Sequence, residues 1–501
     1  MTTTKAAGVG FRSDRGPVLA AIMLCTGLVA LDSTIIATAV PSIVRDLGGF
    51  SQFPWLFSIY LLTQAVTVPL YGKFADSVGR KPVMFLGIGL FLAGSVLCGI
   101  AWSMPALIVA RAVQGLGAGA VQPMSMTMVG DIYSVAERAR VTGYLASVWA
   151  ISAVVGPTLG GVFAEYLSWR WIFFVNLPLG AIAAWTLARR FRENVVRSRH
   201  RVDYLGAALL TAGFSLVILG LLEGGVRWAW ASVPSVAILT AGGLLLVAFV
   251  LVERRAAEPV LPLWVVSRRV LGGANLASLV VGALLIGLSS YLPTYAQGVL
   301  GAGPLVAGFA LAALTIGWPI AASLSGRFYL RIGFRNTSLI GVSIVIVAAV
   351  FAALLTAGSP IWVAACAAFV MGLGLGLTTS PTIVAAQSVV GWDRRGVVTA
   401  SNMFARSLGS AVGAAIFGAI ANATLAARFA DPPGEVAGQV PRDLSADNLI
   451  LDAGSGPAGE FVRESLFAAS HHVFLGLVGL AVVGLVAILL LPRRTEPLTF
   501  D

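Results

Sequence analysis

The sequence predicts an all-α integral membrane protein with fourteen transmembrane helices. Three observations carry that prediction. Of 501 residues, 58% are hydrophobic and only 11% are charged, whereas soluble domains average about 25% charged. Apolar runs of membrane-crossing length recur from end to end. The cations gather in the short connectors between those runs.

Broken at charges, prolines and glycines, the chain has candidate spans at 18–40, 53–73, 83–102, 105–128, 139–163, 171–190, 204–223 and 233–252. Six more follow at 270–296, 304–326, 336–357, 361–388, 397–422 and 470–491. The first run is too long for a signal-peptide core and has no small-residue cleavage site, so it is read as a retained span. Cys25, Cys98 and Cys366 all fall inside apolar runs and are expected to be small buried hydrophobes.

Orientation follows from lysine and arginine in the connectors. With the amino end placed in the cytoplasm, 25 cations fall on the inner side and 6 on the outer, leaving Arg111 and Arg406 within spans. A missed helix would move every later cluster to the wrong side, so this asymmetry supports the whole count. It also explains the net charge of +11 without nucleic acid as a partner. Both termini are expected in the cytoplasm, in a membrane of the bacterial inner (cytoplasmic) type. The long polar stretch 424–469 would lie outside, either as a solvated connector or as a lid, with Pro457–Ser470 able to extend the last helix.

A local repeat suggests two halves. Gly72-Lys-Phe-Ala-Asp76-Ser-Val-Gly79-Arg80-Lys81 follows the second span, and Gly326-Arg-Phe-Tyr-Leu330-Arg-Ile-Gly333-Phe-Arg335 follows the tenth. Both are placed alike if two six-helix halves flank a two-helix insert. The expected units are a tail 1–17, a first bundle 18–192 and the insert with its flanking loops, 193–269. A second bundle, 270–491, and a tail, 492–501, complete the chain. Parallel repeats of this kind are an architecture of secondary transporters.

Five ordered motifs make the resemblance specific. Gly72 to Lys81 resembles the cytoplasmic loop signature of the major facilitator superfamily, and Leu107-Ile-Val-Ala-Arg111-Ala-Val-Gln114-Gly115 resembles its fourth-helix signature. Ser152-Ala-Val-Val-Gly156-Pro157-Thr-Leu-Gly160-Gly161 resembles the fifth-helix antiporter signature, with Ser152 where a glycine is usual. Leu31-Asp32-Ser-Thr34 through Pro41, and Trp169 through Asn176-Leu-Pro178, resemble motifs of the fourteen-helix drug:proton antiporter branch. Leu330 stands where Asp76 has its counterpart, so the second loop lacks the charged latch of the first.

The resemblance implies a major facilitator fold and proton-driven export of lipophilic, monocationic or neutral compounds by alternating access, the protein acting as a monomer. A lipid exporter of the same fold is the alternative. No cofactor is implied, because the proton gradient is the driving force. The chain has no Gly-x4-Gly-Lys-Ser/Thr phosphate loop, no nucleophile with its base, and no metal-ligand spacing among His200, His471 and His472. An enzyme is therefore not expected.

Asp32 is the single carboxylate in the middle of any span. A charge at that depth is costly, so it should face a cavity and take up protons; the other reading is a structural acid bonded to Ser33 or Thr34. One such acid argues against export of divalent cations. Arg111 needs an acid, a polar cluster or water, with Gln114 one turn away on the same face; by resemblance it modulates proton release. Thr34, Gln114, Trp149 and Ser152 are candidates for the substrate cavity or gating. Arg406, in Arg406-Ser-Leu-Gly409-Ser-Ala-Val-Gly413, serves substrate or gating, or else packing. Gly156-Pro157 with Gly160 and Gly161 makes either a bend that closes the cavity or a passive kink. By resemblance Asp76 latches the cytoplasmic gate with Arg80 and the start of the thirteenth helix, unless it is merely a solvated carboxylate.

Overall fold

The computed structural model describes residues 10–11, 13–133, 135–191, 193, 203–225, 227–256, 259–391, 395–433 and 456–492. The side chains of Lys73, Asp76, Ser77 and Arg395, among others, also fall outside the description. Fourteen helices among the described residues are long and apolar enough to cross a membrane.

The first bundle comprises α1 (Gly16–Leu47), α2 (Phe53–Val78), α3 (Arg80–Gly99), α4 (Met104–Ile132), α5 (Val135–Tyr166), and the short α6 (Trp171–Phe174) continued by α7 (Asn176–Arg190). The insert is α8 (Tyr204–Glu223) and α9 (Val233–Glu253). After the one-turn α10 (Trp264–Ser267), the second bundle has α11 (Arg269–Gly298), α12 (Pro304–Ile332) and α13 (Phe334–Ala353). It continues with α14 (Ile361–Ser388), α15 (Arg395–Ala430) and α16 (Pro457–Leu489). With an even number of spans, α1 begins and α16 ends on one side, called here the terminal face; the other side is the far face.

Most predicted boundaries lie within a turn of these helices. The sixth span breaks at Val175 between α6 and α7. The predicted outer stretch 424–469 is shorter than expected: α15 runs on to Ala430 and α16 starts at Pro457. A helix continues past the bilayer as long as its backbone bonds close, so a drop in hydrophobicity marks the membrane edge and not the helix end. Residues 434–455 of that stretch lie outside the description.

The repeat seen in the sequence is a real structural element. Gly79 (φ 105°) joins α2 directly to α3, and Gly333 (φ 84°) joins α12 directly to α13. Each sits in the left-handed region that favours glycine. Each also caps the helix before it, through Gly79 N–H to the Ala75 carbonyl (2.9 Å) and Gly333 N–H to the Tyr329 carbonyl (3.0 Å). The pairings repeat as well: α1 with α5 and α2 with α4 are matched by α11 with α15 and α12 with α14.

Two seams join the bundles, α5 against α12 and α2 against α15. α8 lies over the second seam, touching both α2 and α15, and the Trp55 indole donates to Glu223 (3.1 Å). Among the described residues, the hydrogen bonds that cross between bundles lie towards the far face. Gln297 donates to the Thr38 carbonyl (3.2 Å), the Leu305 N–H to Glu165 (3.1 Å), Ser58 to the Ala411 carbonyl (3.0 Å) and Asn422 to the Ser51 carbonyl (2.8 Å). At the α5–α12 seam the backbones meet directly. A Cβ on Gly161 would stand 2.7 Å from the Leu305 Cα, and one on Gly308 would stand against the Pro157 carbonyl.

If these glycine contacts hold the far face together, Gly161→Leu should wedge α5 from α12. A cysteine replacing Leu311, in a Cys366→Ser background, should then react severalfold faster with an impermeant maleimide added from the far face. Unchanged labelling would show that the contact does not close that side.

Candidate functional site

α1 is apolar along most of its length, which makes Asp32 conspicuous. The residue is 1% exposed, and so is Arg111 of α4. Arg111 Nη1 lies 2.6 Å from Asp32 Oδ2 and donates also to Gln114 Oε1 (2.7 Å). Gln114 Nε2 donates to Asp32 Oδ1 (2.7 Å) and to the Ser95 hydroxyl (2.9 Å). Asn176, the first residue of α7, reaches both Asp32 Oδ1 and Ser95 Oγ at 3.3 Å. Arg111 Nε donates to the Leu56 carbonyl (3.2 Å), and its guanidinium lies 4.0 Å from the centre of the Tyr60 ring. Four helices of the first bundle thus converge on one carboxylate, and a fifth, α2, covers the cation.

The convergence has a local cause. Gln114 packs against α3 where a Cβ on Gly94 would stand 2.6 Å from the Gln114 Cα, so glycine there lets α3 and α4 approach closely enough for Ser95 to reach it. The break at Val175 lets α7 begin with Asn176 inside the bundle. Pairing an acid and a base at bond distance, with the remaining donors occupied, is how charge is tolerated in an apolar interior.

A cavity of about 120 Å³ lies between the bundles. Its first-bundle wall includes Ser33, Thr34, Phe57, Tyr60, Arg111, Trp149 and Pro157; α11, α12 and α15 contribute Ser289, Thr315 and Ser410 among others. Asp32 is not in that wall. The expectation that it faces the cavity is corrected: its carboxylate points into the bundle, and Arg111 and Tyr60 stand at the cavity surface. The alternative of bonds to Ser33 or Thr34 fails too. Ser33 donates to the Val29 carbonyl and Thr34 to carbonyls of Ala30, Leu31 and Ser152. Hydroxyls in a helix reach the carbonyl one turn back more readily than a neighbouring side chain.

The other singled-out residues separate into groups. Thr34 and Trp149 line the cavity; Gln114 does not, belonging to the Asp32 cluster. Ser152 is buried and presents its carbonyl to Thr34 (3.0 Å). The fifth-helix motif faces two ways. Cβ atoms on Gly156 and Gly160 would collide with Thr34 and Ile35 of α1, whereas Pro157 and Gly161 face α12. Thr38 donates to the Pro157 carbonyl (3.1 Å). Arg406, half-buried one turn before cavity-lining Ser410, is not itself among the residues of the cavity wall.

At the terminal face, Arg80 lies 3.0 Å from Asp131 at the end of α4. The backbone N–H groups of Arg80 and Lys81 hold the Glu193 carboxylate at 2.6 and 2.9 Å, as the amino end of a helix favours. Lys81 Nζ caps α7 through the Phe191 carbonyl (2.7 Å). Gly72 has open space where a Cβ would be. The Asp76 side chain, and the expected latch to the start of α15, lie outside the described side chains. Cys25 and Cys98 are buried as expected, but Cys366 is exposed on the outer surface of α14.

Sequence reading missed Tyr60, Ser95 and Asn176. Asn176 left a usable signal, being an uncharged polar residue inside a recognised motif and a span; Ser95 left none.

The match to known proteins agrees with this geometry. Residues 22–414 match the family model described as Major Facilitator Superfamily. The chain belongs to that superfamily. It is 32% identical over 422 residues to "Multidrug resistance protein 3" of Bacillus subtilis, covering 84% of this chain and 81% of that one. It is also 32% identical to the "Multidrug transporter protein MdtP" of the same organism, over 83% of this chain and 76% of that one. Among solved structures, an inward-facing, unoccupied bacterial homologue of the human lysosomal transporter Spinster superimposes with TM-score 0.68 at 16% identity, over 96% of this chain and 98% of that one. A D-xylose–proton symporter gives 0.63 at 12% identity, over 97% and 100%. These structures share the fold. The chain is therefore a multi-pass membrane transporter whose curated relatives are named for multidrug efflux.

Removing one partner of a buried ion pair strands the other, at a cost of about 3–5 kcal/mol. Arg111→Gln should lower the unfolding midpoint of the purified protein, and adding Asp32→Asn should recover much of the loss. Additive losses in the double variant would show that the two charges do not depend on each other.

Proposed function

We propose that this transporter is a proton-coupled antiporter that exports lipophilic small molecules by alternating access, with both termini in the cytoplasm. The observation that carries the reading is the short stretch Asp32–Thr38 of α1. Asp32 is the protonatable group; Ser33 and Thr34 line the cavity; Thr34 and Thr38 bond to α5 at Ser152 and Pro157. Pro157 in turn lies against Gly308 of α12, and the Thr38 carbonyl accepts from Gln297 of α11. One and a half helical turns therefore touch the proton site, the cargo chamber and the seam between bundles.

Protonation would remove the charge that holds Arg111. The guanidinium would keep the Leu56 carbonyl and Gln114 as acceptors, and its released N–H groups would turn to the chamber, whose wall it already forms. A cation in the chamber repels Arg111 and favours the opposite state, in which Asp32 is ionised and holds it. Proton and cargo would thus compete through Arg111 rather than by direct contact with one carboxylate. The arrangement in hand, with its polar bridges between bundles towards the far face, is the one we assign to the cytoplasm-facing half of the cycle.

Small lipophilic cargo is preferred over lipid. An anionic head group would call for a free cation in the chamber wall, but the arginine there, Arg111, is paired with Asp32, and the two Bacillus relatives carry multidrug names.

In proteoliposomes, an imposed pH gradient should drive accumulation of a lipophilic dye cation, and substrate should release protons from the detergent-solubilised protein. Asp32→Asn should abolish both while the protein still unfolds cooperatively, at a lowered midpoint because Arg111 is stranded. Gradient-driven transport by Asp32→Asn at the wild-type rate would remove this residue from the mechanism.

A further inference from the structure

The two helix–glycine–helix junctions share a backbone and differ in what they hold. Gly79 (φ 105°, ψ 156°) and Gly333 (φ 84°, ψ 163°) turn the chain alike, and in each case a helix starts at the next residue. The first N–H groups of such a helix have no carbonyl partner within it. At the first junction they grip an oxyanion: the N–H groups of Arg80 and Lys81 bind the two oxygens of Glu193, which lies between α7 and α8. The cations there are engaged by the protein as well, Arg80 with Asp131 and Lys81 with the Ala188 and Phe191 carbonyls.

The second junction keeps the geometry without the acid. Phe334 and Arg335 occupy the positions of Arg80 and Lys81, and α12 and α13 contain no aspartate or glutamate. Among the described residues, no acceptor lies on the N–H groups of Phe334 and Arg335, and none on the guanidinium groups of Arg327, Arg331 and Arg335. Arg335 Nε is shielded from solvent and still unbonded. A buried donor left in that condition is costly unless an acceptor arrives from outside the chain. The three arginines lie within two turns of Gly333, and apolar side chains interleave with them: Leu330 is 81% exposed, Phe328 46% and Ile332 40%. An amphiphilic anion satisfies both features, because its head group meets the donors while its tail covers the apolar side chains.

We propose that the α12–α13 junction binds the phosphodiester of an anionic phospholipid from the leaflet at the terminal face. The phosphate takes the place that the Glu193 carboxylate has at the first junction, on the N–H groups of Phe334 and Arg335. The Arg335 guanidinium is its charged donor; Arg327 and Arg331 add attraction, and the acyl chains lie against Phe328, Leu330 and Ile332. One joint is thus closed by the protein's own linker and the other by lipid. This binding is independent of proton coupling and of cargo, so it stands or falls without the export cycle.

The test titrates the full-length protein in detergent micelles with phosphatidylglycerol carrying pyrene on one acyl chain, read by energy transfer from tryptophan. Phosphatidylcholine with the same chains is the comparison. Arg335→Gln should weaken phosphatidylglycerol roughly tenfold, the scale of one charged hydrogen-bonding partner, and leave phosphatidylcholine unchanged. Phe334→Pro removes one of the N–H groups without removing a charge, at a helix position that tolerates proline, and should weaken phosphatidylglycerol severalfold. Arg255→Gln, which removes an exposed cation just beyond α9 at the same face, should leave the binding as it is. Equal losses in Arg255→Gln and Arg335→Gln would reduce the effect to the general attraction of cations for an anionic leaflet and overturn the proposal. Unchanged binding in both junction variants overturns it too. Displacement of phosphatidylglycerol by an equal concentration of inorganic phosphate would make this a soluble-anion site and overturn the lipid assignment, whereas no displacement supports it.

Discussion

The ion pair between Asp32 and Arg111 organises the first bundle. Neither charge could stay in an apolar interior alone, and each satisfies the other at 2.6 Å with both side chains 1% exposed. Around that pair, Gln114, Ser95 and Asn176 draw α3, α4 and α7 onto α1. The cost of separating the charges is what would make the bundle sensitive to a single proton in the proposed cycle. A carboxylate that took up its proton directly from an open chamber would need no such partner. Here Arg111 and Tyr60 intervene, so in the proposed cycle a change at Asp32 reaches the chamber through the guanidinium.

The two bundles repeat each other in backbone but not in charge. The helix–glycine–helix junctions at Gly79 and Gly333 are alike in geometry, and the helix pairings match across the halves. Yet the first half concentrates its polar side chains in one closed network, while α11–α15 hold no acid and one interior arginine. Leu330 is the same asymmetry at the terminal face: it is 81% exposed at the position corresponding to Asp76. Symmetry of fold supplies two similar bodies. Asymmetry of charge puts the buried ion pair in one of them, and the proposed cycle assigns the proton to that body.

Much of this was legible in the sequence because lipid imposes a simple rule. A span must be long, apolar and flanked by cations, so the count and the insert could be read from hydrophobic runs and arginine placement alone. The same rule located Asp32, Arg111 and Arg406, since a charge within a span is rare. It could not say where they point. Asp32 turned inward because a partner lay 79 residues away in sequence, and no local pattern encodes that distance. Ser95 is one serine among many in apolar helices. Cys366 shows the converse limit: within a membrane protein an apolar run has a lipid-facing side as well as a buried one, so hydrophobicity does not predict burial. The extension of α15 to Ala430 was hidden for a related reason, because helix and membrane end at different places.

The joints between the bundles follow the same economy of surface. At the far face, Gly161 and Gly308 bring α5 and α12 into backbone contact, and Gly418 leaves room on α15 for the side chains of Pro54 of α2 and Leu222 of α8. Interlocking large side chains would have to be pulled from their sockets whenever the halves parted, whereas flat glycine surfaces separate without that loss. α8 lies over the α2–α15 seam, tied to the first bundle by Trp55 and Glu223 and packed on both sides. The insert therefore covers one seam and leaves the seam lined by Pro157, Gly161 and Gly308 without it. That boundary is also the one joined to the helix carrying Asp32, through Thr34 and Thr38, so the proposed proton site lies on the helix that borders this seam.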